Sequence, residues 1–226
     1  MKLGILLSGG KDSLYAAYLA KKGGNELVCA ITIDSENKDS FMFHTPAIEK
    51  TRAQADSMGI PIIVHKTKGK KEDELEDLED AIREAIEKYK IGGITTGAIR
   101  SVYQASRIQK ICDKLKIECV NPLWQREEIK YLEELIENKF EVIITAVAAY
   151  PLDSSWLGRK IDKEFLEEVG PLVKKYKIHP AGEGGEFESF VLNCPLFKKS
   201  LKVKNKNISG EGNSWRMDIE LKRSKK

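Results

Sequence analysis

The sequence predicts an α/β protein: a doubly wound, mostly parallel sheet followed by a small C-terminal α+β lobe. Short apolar runs alternate with longer amphipathic runs as far as about Tyr150. This alternation is typical of a parallel sheet with helices on both faces. Beyond Tyr150 a glycine-rich stretch and short alternating segments indicate antiparallel strands. We therefore predict two domains, residues 1–150 and residues 151–226.

Each predicted element has its own signal. The strands of the first domain are short apolar runs, at residues 2–7, 27–33, 60–65, 92–96, 117–120 and 140–148. Its helices are amphipathic, at residues 13–22, 46–58, 72–90, 101–115 and 127–138. The first of these helices ends at Gly23-Gly24, a typical stop signal. In the second domain we predict a helix at 162–175 and strands at 190–192, 201–206 and 215–221.

Composition excludes several classes of protein. The 226 residues carry a net charge of +3, which is too small to indicate nucleic-acid binding. The apolar runs are of strand length, far short of the ~20 residues that span a membrane. The four cysteines contain no CxxC pair, which argues against a zinc or redox motif. We expect a cytoplasmic protein with inert thiols.

The strongest local signal lies between the first strand and the first helix. It consists of Ser8, Gly9, Gly10, Lys11, Asp12 and Ser13. Backbone N–H groups and the helix dipole favour an anion at this place, and the glycines let the backbone approach it. The serines add donors, Lys11 adds charge, and Asp12 can hold Mg²⁺ or cap the helix. The pattern predicts phosphate binding, with a tight capped turn as the alternative.

This loop differs from the kinase-type phosphate loop. That pattern needs a glycine five residues before the Gly-Lys pair and Ser or Thr directly after it. Ile5 and Asp12 occupy those positions here. The sequence therefore predicts a phosphate-binding loop of another type.

Other candidate residues follow later predicted strands. Gly97 lies at a strand end, where a bare backbone can admit adenine or ribose. Tyr103 and Arg107 are four residues apart on one helix face, where Arg107 can pair with a phosphate or carboxylate. His44 lies in a polar loop and can transfer a proton or contact substrate. The alternatives are a structural turn, a surface pair and a capping histidine.

Residues 8–13 resemble the signature of the N-type ATP pyrophosphatases, the PP-loop enzymes with a HUP-like fold. Five further segments resemble one branch of them, the diphthine–ammonia ligases. They lie at residues 39–45, 97–104, 122–124, 152–159 and 182–189. Residues 182–189 are the most specific of these, and the resemblance covers nearly the whole chain in order.

The resemblance implies a chemistry. ATP would be split into AMP and pyrophosphate as it adenylates the diphthine carboxylate of translation elongation factor 2, and free ammonia would displace AMP. It implies ATP and Mg²⁺ as cofactors, residues 8–13 and Gly97 as nucleotide contacts, and Lys11, Asp12 and His44 as catalytic residues. A homodimer is compatible with the sequence.

Diphthine carries a trimethylammonium group, which carboxylates and aromatic faces can hold. With Tyr103 and Arg107, the substrate residues implied are Trp156, Glu183, Glu186, Phe187 and Glu188. A charged surface turn for the glutamates and plain packing for Trp156 are the alternatives. Two other functions remain open: a PP-loop enzyme that modifies tRNA, and a non-catalytic module that binds ATP or AMP.

Overall fold

A computed structural model of the protein describes residues 1–35, 48–68 and 73–222. The chain divides into two compact units, Met1–Trp124 and Gln125–Lys226. The first unit contains β1 (Lys2–Leu6), α1 (Lys11–Lys22), β2 (Glu26–Ser35), α2 (Ile48–Met58), β3 (Ile62–Thr67), α3 (Asp73–Tyr89), β4 (Gly93–Thr95), α4 (Val102–Leu115) and β5 (Glu118–Val120). The predicted helices and strands of this region are confirmed to within a few residues.

The strands of the first unit form the predicted parallel sheet. Over the described residues its order is β3-β2-β1-β4-β5, and all its pairs are parallel. The order reverses between β1 and β4, which leaves a crevice beyond their carboxyl ends. Helices α3 and α4 cover one face through a core that includes Ile82, Ile94 and Ile108. Leu3 and Ile5 on β1 alternate with Gly4, so they face the opposite side, where α1 packs.

The second unit contains α5 (Glu128–Glu137), β6 (Glu141–Val147), a 3-10 turn (Ser154–Trp156), α6 (Lys163–Tyr176), β7 (Phe187–Asn193), β8 (Val203–Glu211) and β9 (Ser214–Leu221). In the described part of this unit the strands form an antiparallel sheet in the order β7-β6-β9-β8. The predicted α+β lobe is thereby confirmed. Ile143, Phe190, Met217 and Ile219 form a small core on the sheet.

One strand was predicted in the wrong sheet. The run at residues 140–148 was expected to extend the parallel sheet, but β6 pairs antiparallel with β7 and β9. Most of its residues are buried, and such a strand reads as a continuous apolar run. Hydrophobicity therefore reveals the strand but does not identify its partners. The chain accordingly divides between Trp124 and Gln125, whereas the sequence predicted a boundary near residue 150.

Within residues 1–35, 48–68 and 73–222, no helix is long and apolar enough to cross a bilayer.

Candidate functional site

The candidate site of the first unit lies where β1 and β4 end side by side. Residues 7–10 connect β1 to α1, and residues 96–101 connect β4 to α4. Parallel α/β sheets bind ligands at this switch point, where the loops of neighbouring strands diverge. The fold therefore brings the predicted phosphate loop and Gly97 to one edge of the sheet.

Hydroxyl groups hold the loop in shape. The Ser8 hydroxyl donates to Ser13 Oγ at 3.2 Å, and the Ser13 hydroxyl donates to the Gly10 carbonyl at 3.1 Å. Gly10 N–H points to Ser8 Oγ at 3.4 Å. Both hydroxyl hydrogens are thus engaged inside the loop. The donor role predicted for the two serines toward phosphate requires them to exchange these bonds for bonds to the ligand.

Two side chains that the sequence analysis did not identify fix the backbone of this loop. Gly9 has φ +87°, in the left-handed region that favours glycine. Its carbonyl accepts from Gln54 Nε2 at 3.0 Å, and Gln54 on α2 is fully buried. Thr32 Oγ1 donates to the Leu7 carbonyl at 2.8 Å. A threonine within the apolar run of β2 is the signal that could have revealed Thr32.

Lys11 and Asp12 begin α1 and carry the charge of the site. The Lys11 side chain is only 3% exposed, and its Nζ lies 3.0 Å from Asp12 Oδ2. The helix N-terminus is itself electropositive, so a buried ammonium there is stabilised by negative charge nearby. Asp12, whose side chain is 28% exposed, supplies part of that charge. The arrangement suits an anionic ligand, and the accessible carboxylate suits a cation that accompanies it.

Gly97 lies against the first turn of α1. A Cβ atom at this position would lie 2.6 Å from both the Asp12 carbonyl carbon and the Ser13 nitrogen. The missing side chain therefore makes room for the α1 backbone, whereas the sequence analysis expected it to make room for adenine or ribose. A nucleotide contact by Gly97 remains a prediction.

Tyr103 and Arg107 stack on one face of α4, as their spacing predicts. The guanidinium carbon of Arg107 lies 3.5 Å from the Tyr103 ring centroid, and Nη1 donates to the Tyr103 carbonyl at 3.4 Å. Stacking holds the guanidinium flat and leaves its edge suited to a planar anion. Their role toward a substrate stays a prediction.

In the second unit, residues 179–188 form a loop held by two side chains. Glu186 Oε1 accepts from His179 N–H at 2.7 Å, and Oε2 accepts from Gly184 N–H at 2.9 Å. His179 Nδ1 accepts from the N–H groups of Ala181 and Glu183 at 3.2 and 3.4 Å. An Nδ1 that accepts carries no proton, so the proton of the neutral ring is on Nε2. That atom lies 3.3 Å from Glu128 Oε1.

The three glutamates of this loop, all predicted from the sequence to contact substrate, have different surroundings. Glu186 is committed to the backbone of its own loop, which favours a structural role over substrate contact. Glu188 Oε1 lies 3.8 Å from Arg216 Nη2 in a half-exposed pair. Glu183 is half-buried on the same loop. Substrate contact by Glu183 or Glu188 stays a prediction.

Trp156 and Phe187 lie in the core of the second unit. Their side chains are 8% and 5% exposed, and both rings pack edge-to-face on Phe165 with centroids 5.9 Å apart. The Arg159 guanidinium already covers the Trp156 ring at 4.6 Å. This packing does not support the aromatic cation pocket expected from the sequence. Plain packing, the alternative for Trp156, matches what is observed.

The predicted roles of His44 and of a metal ion at Asp12 are not tested by the structure. His44 lies outside the described residues. Among the residues that are described, no group of three or more His, Cys, Asp or Glu side chains is placed to hold a metal ion. The role of Asp12 as a Mg²⁺ ligand stays a prediction.

Comparison with known proteins covers almost the whole chain. Residues 1–119 match the family model described as the diphthamide synthase N-terminal domain, and residues 127–226 match the diphthamide synthase C-terminal domain. A diphthine–ammonia ligase of Bos taurus is 34% identical over 92% of this chain and 85% of its own length. The Homo sapiens protein of that name is 33% identical with the same coverage.

Among solved structures, a chain of Methanocaldococcus jannaschii described as a predicted subunit of tRNA methyltransferase overlaps with a TM-score of 0.41. It is 19% identical, and the match covers 88% of this chain and 99% of that one. An overlap this low carries no argument about function. The two family models and the identity to the curated relatives show that the chain belongs to the diphthamide synthase family.

Proposed function

We infer that the chain is a diphthine–ammonia ligase, which uses ATP to convert the carboxylate of diphthine into the amide of diphthamide. Its two units match the two domains of the diphthamide synthase family over residues 1–119 and 127–226. That match is the observation that carries the inference. The tRNA-modifying enzyme and the non-catalytic nucleotide module, which the sequence left open, have no comparable support.

The need for ATP follows from the chemistry of the acceptor. A carboxylate is a poor electrophile because it is negatively charged and has no good leaving group. ATP supplies an activated phosphorus atom, and adenylation turns one carboxylate oxygen into part of a stable leaving group, AMP. Ammonia can then attack the acyl carbon.

In this proposal the first unit holds the triphosphate. Residues 8–13 would surround its β- and γ-phosphates, with the N-terminus of α1 facing the anion. Lys11 would offset the charge that develops on pyrophosphate as it leaves, and its burial would make that interaction stronger than in water. The bonds from Gln54 to Gly9 and from Thr32 to Leu7 keep this loop in place before the ligand arrives.

We propose Mg²⁺ as the accompanying cation, with Asp12 as its protein ligand. When bound there, the ion would offset phosphate charge and orient the triphosphate. The accessible Asp12 carboxylate next to Lys11 supports this assignment.

The acceptor we propose is diphthine on translation elongation factor 2. Glu183 and Glu188 are the carboxylates of the second unit that suit its trimethylammonium group, because Glu186 is bound to its own loop. In the first unit, the stacked pair of Tyr103 and Arg107 is suited to the carboxylate.

Isotope transfer tests this function directly. Elongation factor 2 bearing diphthine labelled with oxygen-18 in its carboxylate is incubated with the protein, ATP, Mg²⁺ and ammonium. Because a carboxylate oxygen bonds to the α-phosphorus, the AMP should carry one oxygen-18. Unlabelled AMP, or labelled inorganic phosphate, would contradict attack at the α-phosphorus. Unlabelled factor in oxygen-18 water is the matched control and should give unlabelled AMP.

A further inference from the structure

We propose that Asn121 is a positioning residue for the nucleotide site, holding the loop after β4 against the first turn of α1. The assignment rests on the proposed function for the identity of the ligand. The geometry on which it is built does not depend on that ligand.

Asn121 directly follows β5, the edge strand next to β4 in the parallel sheet. Thr96 N–H donates to the Val120 carbonyl at 3.1 Å, which continues the pairing of the two strands beyond β4. This brings the side chain of Asn121 beside the loop that contains Gly97. The neighbouring Pro122 restricts the backbone of Asn121 to extended conformations, and Leu123, fully buried, anchors the segment.

The amide group of Asn121 faces two carbonyl oxygens, so the atom that faces them is its nitrogen, the only donor of the group. In this orientation it donates to the Ala98 carbonyl at 2.9 Å and to the Thr96 carbonyl at 3.1 Å. Both hydrogens of one NH₂ group are therefore used on the carbonyl oxygens of the two residues that flank Gly97. The loop is held on both sides of its glycine.

Gly97 transmits this restraint to the residues that carry the chemistry. A Cβ atom at position 97 would lie 2.6 Å from the Asp12 carbonyl carbon and 2.8 Å from its oxygen. The loop and the first turn of α1 are thus in close backbone contact, and a shift of one changes the support of the other. Lys11, Asp12 and Ser13 lie in that turn. Asn121 therefore acts on the phosphate loop through Gly97 and touches no reacting atom itself.

The first unit contains a matched control for the loss of such a bond. Asn25 Nδ2 donates to the Ala20 carbonyl at 3.0 Å, and its Oδ1 accepts from the Met1 amino group at 3.1 Å. Asn25 precedes β2, so it lies at the amino edge of the sheet, whereas Asn121 lies at the carboxyl edge. A purely structural role would make the two substitutions equivalent.

The test compares Asn121→Ala and Asn25→Ala by hydrogen exchange without nucleotide, and by ATP binding. We expect faster exchange in peptides covering residues 8–15 and about a 10-fold weaker ATP affinity in Asn121→Ala, since two hydrogen bonds are lost. Asn25→Ala should leave both unchanged, even where its melting temperature falls equally. In steady-state assays Asn121→Ala should raise the KM for ATP and leave the KM for ammonium unchanged.

Unaltered exchange at residues 8–15 with unaltered ATP affinity would overturn the assignment, as would the same changes in Asn25→Ala. Should Asn121→Ala fail to fold, Asn121→Leu gives the same test, because it keeps about the size of the side chain and removes its donors without adding a charge. Failure of the proposed function would be seen separately, as a wild-type protein that amidates no diphthine while the exchange difference persists.

Discussion

Gly97 and Asp12 come from different connections of the parallel sheet, yet their backbones are so close that residue 97 has no room for a side chain. The distance from a Cβ atom at position 97 to the Asp12 carbonyl carbon would be 2.6 Å. The Ser13 nitrogen would lie equally close. Because both of these atoms belong to the main chain, no change of side-chain rotamer can relieve the overlap. The loop after β4 thus supports the helix start that carries Lys11 and Asp12.

Replacing Gly97 with Ala should therefore impair both stability and turnover. Overpacking of this kind typically costs about 1–3 kcal/mol, so the melting temperature should fall by several degrees. AMP formation should fall further than the loss of folded protein explains, because the first turn of α1 moves. Thermal unfolding followed by circular dichroism, with an AMP assay on the folded protein, measures both effects.

Gly92 supplies the control. It lies just before β4, and the nearest atom outside its chain neighbours to a Cβ atom built there is the Met1 sulfur at 3.9 Å, an ordinary contact. Gly92→Ala should be neutral or should stabilise the protein by up to about 1 kcal/mol. A Gly97→Ala protein that is as stable and active as Gly92→Ala would contradict the close contact.

Replacing Asp12 with Asn tests its role as a metal ligand. The amide keeps the size of the side chain but loses the charge that faces Lys11 Nζ at 3.0 Å. We expect the Mg²⁺ concentration for half-maximal AMP formation to rise by about 10-fold or more. Even a residue that only hydrogen-bonds to a metal ligand typically changes metal affinity by about 10-fold. Titration of Mg²⁺ at saturating ATP measures the shift. Asp56→Asn, at an exposed position on α2, should leave this Mg²⁺ concentration unchanged. An equal shift in both proteins would contradict the role of Asp12 as a metal ligand.

Glu186 should act through the shape of its loop. Glu186→Gln can still accept one of the two N–H groups, but its own NH₂ faces the other, and an unpaired donor costs about 1–3 kcal/mol. We expect a lower melting temperature and a higher KM for diphthine-bearing elongation factor 2, with the KM for ATP unchanged. Glu167→Gln, exposed on α6, is the control. A higher KM for the factor without any loss of stability would indicate that Glu186 contacts the substrate directly.

Cys119 should be the first thiol to react with a maleimide. A hydrogen bond from the Cys112 thiol lowers the pKa of Cys119, whereas burial raises the pKa values of Cys29 and Cys194 to about 12. A lower pKa gives more thiolate at a given pH and faster alkylation. Cys112→Ala removes the donor and should slow alkylation of Cys119, and Cys112→Ser should slow it less. Mass spectrometry of samples taken during the reaction gives the order in which the thiols are alkylated. Labelling of Cys29 or Cys194 before Cys119 would contradict the expectation.

The sequence predicts those parts of the molecule that depend on local pattern. The alternation up to β5, the amphipathic period of α3 and the strand–glycine–helix pattern of residues 8–13 each have a local cause. The assignment of β6 to one sheet or the other has no such local cause, because a buried strand has the same apolar sequence in either sheet. For the same reason Trp156 and Phe187 could be read as pocket or as core.

The supports of the phosphate loop were missed for a related reason. Gln54 and Asn121 are single polar residues far from the loop in sequence, and their importance arises only when the sheet brings them beside Gly9 and Gly97. The sequence also suggested a reason for Gly97 that differs from the observed one. Glycine indicates a close approach, but only the fold shows that the approaching group is the backbone of α1.

The central claim is that this chain joins ammonia to the carboxylate of diphthine at the expense of the α-phosphate bond of ATP. The most direct test incubates the protein with ATP, Mg²⁺, ammonium and elongation factor 2 that carries diphthine, then follows nucleotides by chromatography and the modified peptide by mass spectrometry. The account predicts AMP and pyrophosphate in equal amounts with a peptide lighter by about one mass unit, because NH₂ replaces OH. Release of ADP, or AMP without any change in the peptide, would contradict it.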